Sequence, residues 1–165
     1  MTDAYNNLVT RKILESLVGI DTEIFILTKS NPVIRDIDLF KKMNNITITF
    51  SINTLDDTFR KHMEPFASSI DDRIKALKIL NKNRIRTSVF LSPMFPEITN
   101  FKTIIKSLKN YSHEFWFENL NLYPYRITRI LKYIDYKYSY LRDLYYEIYI
   151  AKDTSYWEQL EKEIF

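Results

Sequence analysis

The sequence predicts an α/β fold built on a parallel sheet, and three observations carry that expectation. Strand-like and helix-like segments alternate four times along residues 1–125. The connections between strand-like segments are too long for hairpins, so consecutive strands must be joined by crossovers, which in parallel sheets are right-handed. The strand-like segments are also nearly continuous apolar runs, as strands covered on their faces should be. Residues 126–165 add a helical C-terminal segment.

Taken in order, residues 7–18 place Leu8, Ile13, Leu14, Leu17 and Val18 near helical spacing, with Gly19 as the C-cap. Residues 23–28 form a short apolar run that ends at the turn signal Lys29-Ser30-Asn31-Pro32. Helical spacing returns over 34–43, and 46–50 is a β-branched strand closed by Phe50 and followed by Ser51-Ile52-Asn53-Thr54. A short helix is expected over 55–63. Ser69 with Asp72 three residues on opens a longer helix, whose stripe is Ile70, Ile74, Leu77 and Leu80. Residues 85–91 give a third strand, followed by the proline-punctuated loop Ser92-Pro93-Met94-Phe95-Pro96. Thr99 or Asn100 caps a helix through Leu108, and 114–120 is a fourth strand. Residues 126–165 read as helical, with breaks near 135–137 and at Asp153.

Composition narrows the function. The chain has 165 residues, no cysteine, one glycine and two histidines. A domain of this length buries roughly 70% of its unfolded surface. Disulfides, thiolate metal sites, cysteine nucleophiles and cysteine-held iron–sulfur clusters are excluded. Gly19 alone cannot build a glycine-rich phosphate loop, and His62 and His113 alone do not make a multi-histidine metal site. No carboxylates pair in a way that suggests acid–base work. A net charge of +3 permits contact with phosphate without demanding it. No apolar run is long enough for a membrane span and the N-terminus has no leader pattern, so a cytoplasmic location and no membrane partner are expected.

In a parallel α/β sheet the ligand site lies beyond the carboxyl ends of the strands. The candidates there are Lys29 and Ser30, Ser51 and Asn53, Ser92, and Glu118, Asn119 and Asn121.

Several segments, in order, resemble one family: Thr2-Asp3-Ala4-Tyr5, Leu27-Thr28-Lys29-Ser30, Ile34-Arg35-Asp36-Ile37-Asp38-Leu39, Ser51-Ile52-Asn53-Thr54-Leu55-Asp56, Glu64-Pro65, Arg73 and Ser92-Pro93-Met94-Phe95-Pro96. The set resembles the radical S-adenosylmethionine proteins of the spore photoproduct lyase group, often labelled DNA repair photolyases. Phe115-Trp116-Phe117-Glu118-Asn119-Leu120-Asn121-Leu122 resembles one branch of it. The resemblance implies a partial (β/α) barrel of about four βα units over residues 1–125; the aromatic-rich helical segment, 126–165, lies beyond the resemblance and is expected to pack on that barrel. The resemblance also implies S-adenosylmethionine at the strand ends beside a [4Fe–4S] cluster. The family ligates that cluster through a C-x-x-x-C-x-x-C loop after the first barrel strand, and this sequence has no such loop. Its signature begins at residue 2, with Ala4 where the family has proline. The chain therefore reads as the C-terminal part of such a barrel, truncated at the N-terminus and unable to perform the family's radical chemistry alone.

The resemblance assigns Lys29 to the carboxylate of S-adenosylmethionine, which a fixed ammonium suits. Read without it, Lys29 is a solvated turn residue. Ser51 matches a serine that hydrogen-bonds the amino-acid part of the cofactor, although a hydroxyl ending a strand is also common. Thr2 matches a hydroxyl with a similar role, and Asn53 points to the same side of an extended strand as Ser51. Glu64-Pro65 and Arg73 serve either as ligand contacts or as anchors of a cap or loop.

The alternative function is a non-catalytic nucleoside-binding, S-adenosylmethionine-binding or protein-interaction module. Most of the twelve tyrosines lie within 133–156. Tyr138, Tyr145 and Tyr149 share a helical face suited to packing, while stacking on nucleic-acid bases between Lys132, Lys137 and Arg142 is the sharper use. Asp135, Asp143 and Glu147 interrupt a basic stripe there. An unpaired barrel edge predicts self-association.

Overall fold

The computed structural model describes residues 9–165; the expectations for Thr2-Asp3-Ala4-Tyr5 and for the first helix at residues 7 and 8 lie outside the described residues. Helix α1 (Val9–Leu17) buries Leu14 and ends in a turn where Gly19 takes φ 85°, a conformation that favours glycine. Strand β1 (Ile24–Thr28) follows. A 3-10 turn (Asn31–Asp36) and the four-residue helix α2 (Ile37–Phe40) replace the single helix expected over 34–43. The break falls at Asp36, whose backbone leaves the helical region (φ −99°, ψ 17°) while its buried carboxylate accepts hydrogen bonds from Arg11 and Arg35. Burial pushes the Asp36 carboxyl up, but the two guanidinium partners outweigh it and hold it below the usual carboxylate range.

Strand β2 (Ile46–Ser51) leads through α3 (Asp57–Met63), capped by Asp56, into α4 (Ile70–Lys82), where the Ser69 hydroxyl accepts from the Asp72 N–H. On α4 the buried face is Ile70, Arg73, Ala76, Leu77 and Leu80. Ile74, assigned to the stripe by spacing, is only half-buried, and Arg73 lies in the stripe instead. Strand β3 (Arg86–Met94) runs further than expected, through Ser92 and Pro93. Its pairing with β2 runs out at Phe90, so the N–H that Pro93 lacks is not needed on that side. Asn100, rather than Thr99, caps α5 (Phe101–Leu108), and β4 (Glu114–Asn119) completes the sheet.

The sheet has four parallel strands in the order β1-β2-β3-β4, and the chain is an α/β fold consistent with a partial (β/α) barrel. The register sets Ile26 beside Ile48 and Phe50 beside Val89. Strand β2 is buried at all but one position and β3 is buried from Thr87 to Val89 and again at Leu91 and Met94, whereas β1 alternates between half-buried and exposed. Ile48, Phe50, Leu77, Leu80, Val89 and Leu91 are fully enclosed. Each such side chain contributes about 1.5–3 kcal/mol by leaving water.

The chain divides into two compact units: residues up to Ser92 with Thr99–Glu118, and Pro93–Ile98 with Asn119–Phe165. The second contains α6 (Pro124–Lys137), a 3-10 turn (Ser139–Leu141), α7 (Arg142–Tyr146), a π-helical turn (Glu147–Ala151) and α8 (Ser155–Ile164). The breaks fall at Tyr138 and at residues 152–154, close to those the sequence marks. Within this unit Tyr145 is buried, donates to the Pro96 carbonyl at 3.1 Å and packs its ring 5.7 Å from that of Tyr149. Burial pushes both phenols well above their ordinary range. Packing therefore accounts for Tyr145 and Tyr149, Tyr138 is half-buried, and Tyr136 and Tyr140 are exposed. Among the described residues no helix is long and apolar enough to cross a membrane.

Candidate functional site

The carboxyl ends of the strands are joined by one connected set of polar contacts, all within the first unit. Lys29 is the residue immediately after β1. Its Nζ donates to Glu64 Oε1 at 2.5 Å. The other oxygen of Glu64 accepts from Arg73 Nη2 at 2.8 Å, Arg73 Nη1 donates to the Ser51 carbonyl at 2.8 Å, and Arg73 Nε donates to the Ser68 carbonyl at 2.9 Å. Ser51, the last residue of β2, donates its hydroxyl to the Ser92 carbonyl of β3 at 3.0 Å. The Ser92 hydroxyl in turn donates to Glu118 of β4. The contacts thus run from β1 to β4 through Lys29, Glu64, Arg73, Ser51, Ser92 and Glu118.

The local chain makes this arrangement stiff. The Ser68 N–H donates to the Lys29 carbonyl, and the Ser68 hydroxyl is bonded to both the backbone N–H and the side chain of Asn31. Arg60, itself paired with Asp57, donates to the carbonyls of Glu64 and Ala67. Those contacts pin the loop between α3 and α4. The Arg60 guanidinium and the Ile70 N–H hold the Asp57 carboxyl far below the usual carboxylate range.

Of the residues the sequence singled out, Lys29, Ser51, Ser92 and Glu118 are brought into this set. Ser51 and Asn53 are both buried, Ser30, Asn119 and Asn121 are exposed, and Thr2 lies outside the described residues. Glu64 and Arg73, open between ligand contact and anchoring, anchor the loop and bridge the strand ends. The signal for Arg73 was available: it stands three residues after Ile70 and four before Leu77, so it occupies the apolar face of α4, where a charge must be paired.

The family model for the radical SAM superfamily matches residues 3–120. The chain belongs to the radical SAM superfamily. It is 39% identical over 127 residues to an uncharacterized protein of Methanocaldococcus jannaschii, covering 74% of this chain and 49% of that protein. It is also 30% identical over 88 residues to an uncharacterized protein of the Acidianus two-tailed virus, covering 53% of this chain and 29% of the viral protein. The chain thus spans about half the length, or less, of these curated relatives. No solved structure gives a significant match.

The family implies S-adenosylmethionine and a [4Fe–4S] cluster, and the two fit this chain differently. The cluster needs thiolate ligands and the chain has no cysteine, so these residues cannot bind it. Among the described residues no group of three histidines or carboxylates is placed to hold a metal ion either. The amino-acid part of S-adenosylmethionine does fit in one respect. Lys29 gives one N–H to Glu64 and has two more to give to a carboxylate. The hydroxyl of Ser51 is already donating, so it can serve a ligand only as an acceptor.

Proposed function

We propose that this chain binds S-adenosylmethionine through the carboxylate of its amino-acid part at Lys29, and that it belongs to the spore photoproduct lyase-like branch of the superfamily. Binding of the cofactor, without its reductive cleavage, is the activity assigned to these residues, because the cluster ligands are absent. The observation that supports the reading is the charge balance at the end of β1: Lys29 and Arg73 share the single carboxylate of Glu64, so that end of the sheet carries one net positive charge, while the second carboxylate of the set, Glu118, lies at the β4 end. Ser51, and Asn53 two residues beyond it, are the neutral residues proposed beside it.

Two measurements test this. Anaerobic incubation with iron and sulfide should leave the protein colourless after desalting, whereas a stable iron–sulfur absorbance would overturn the cysteine argument. Calorimetry with S-adenosylmethionine should give weak binding that Lys29→Ala reduces about tenfold, the worth of one charged hydrogen-bonded contact. Unchanged binding in that variant would remove Lys29 from the site.

A further inference from the structure

The geometry points to Glu64 as a positioning residue: it fixes the Lys29 ammonium at the end of β1, and Arg73 neutralises it so that Lys29 remains available to an anion. This rests on the proposed grip of Lys29 on S-adenosylmethionine and extends it to a residue that does not itself touch the ligand.

Three features carry the inference. First, Glu64 uses its two oxygens on two different cations: Oε1 takes Lys29 and Oε2 takes Arg73. A lone glutamate facing a lysine would cancel its charge and compete with an incoming carboxylate. Here the Arg73 guanidinium keeps Glu64 neutralised, so Lys29 can turn two N–H groups to a ligand while the third stays on Glu64. Second, exposure is graded along the contact. The Arg73 side chain is 0% exposed, Glu64 12% and Lys29 38%. The buried end is fixed and the outer end meets solvent, where a ligand would arrive. Third, both ends of the lysine are tied to one loop. The Lys29 backbone carbonyl accepts from Ser68, and its ammonium sits on Glu64, while Arg60 pins the loop between them. A flexible four-carbon stem pays rotamer entropy on binding. Holding it beforehand lowers that cost, which is the gain from preorganisation.

The same guanidinium that holds Glu64 also holds the Ser51 carbonyl. Lys29 and Ser51, both assigned to the amino-acid part of the cofactor, are therefore linked through the Arg73 guanidinium and the Glu64 carboxylate.

The test uses Glu64→Asp, which keeps the charge of the site but shortens the arm by one methylene. Equilibrium dialysis with S-adenosylmethionine is run on the full chain, on Lys29→Met, on Glu64→Asp and on the double variant. Glu64→Asp should weaken binding about fivefold in the unaltered background and leave it unchanged in Lys29→Met, because its effect passes through the lysine. An equal loss in both backgrounds means a general structural role and overturns the inference. A second readout needs no ligand. Acetylation of lysines followed by mass spectrometry should find Lys29 slower to react than the exposed Lys61, with the difference largely lost in Glu64→Asp. Unchanged protection of Lys29 in that variant also overturns the inference. Protection that behaves as expected in a chain with no affinity for S-adenosylmethionine leaves Glu64 as the holder of Lys29 and rejects the cofactor reading instead.

Discussion

Arg73→Met is expected to destabilise the first unit by about 3–5 kcal/mol, the usual cost of removing one partner from a buried, hydrogen-bonded charge network. The side chain is fully enclosed on α4 and satisfies three separate acceptors: Glu64, the Ser51 carbonyl and the Ser68 carbonyl. Methionine fills similar volume, so a cavity is not the main term. What remains is two orphaned carbonyl oxygens, each costing about 1–3 kcal/mol if left without a donor, and a glutamate reduced to one partner. In urea the unfolding midpoint should fall by roughly 2 M with little change in slope. Lys75→Met on the same helix is the control, because that side chain is 69% exposed and surface substitutions of this kind lie within about 0.5 kcal/mol. A loss below 1 kcal/mol for Arg73→Met would mean that the hub is not what ties β2 to the loop after α3.

The second large effect concerns β1. Among the described residues this strand has a neighbour on one side alone, since the sheet ends there. Phe25 and Leu27 alternate onto one face of it and are 63% and 58% exposed. Val9 and Ile13, one turn apart on α1, are also exposed. An apolar strand with a free edge pairs readily with another chain, and proteins that must stay apart place charges on such edges. The chain should therefore associate with a second copy of itself at micromolar concentration in sedimentation velocity, and Phe25→Lys with Leu27→Lys should return it to a monomer. A chain that sediments as a stable monomer without these substitutions would show that the exposed face of β1 carries no association.

The sheet was legible because each strand is an apolar or β-branched run closed by turn residues, and because the intervening segments hold a clear 3.6-residue period. Ser69 and Asp72 announced the start of α4 in the same way, and the pair Thr99-Asn100 that of α5, with the structure choosing Asn100. The differences have local causes. Pro93 looked like the end of β3, but a proline is tolerated where the neighbouring strand has already ended. Residues 34–43 kept helical spacing, yet the paired carboxylate of Asp36 interrupts the helix, and long-range pairing with Arg11 cannot be read from spacing. The candidate site was half legible. Position at the ends of parallel strands picks out Lys29, Ser51, Ser92 and Glu118, but not that Glu64 and Arg73 link them. That linkage depends on how the loop after α3 folds back onto β1. Its traces in the sequence were the charge inside the apolar stripe of α4 and the family match at Glu64-Pro65 and Arg73, which left ligand contact and loop anchoring both open.

Comparison of S-adenosylmethionine with its decarboxylated form, titrated calorimetrically into the unaltered chain under the same ionic conditions, isolates the contact between Lys29 and the carboxylate. The two ligands share the adenosine and the sulfonium and differ in the carboxylate assigned to Lys29. S-adenosylmethionine should bind about tenfold more tightly, the contribution expected of one charge-assisted contact, and equal affinities for the two would contradict the assignment of the carboxylate to the end of β1.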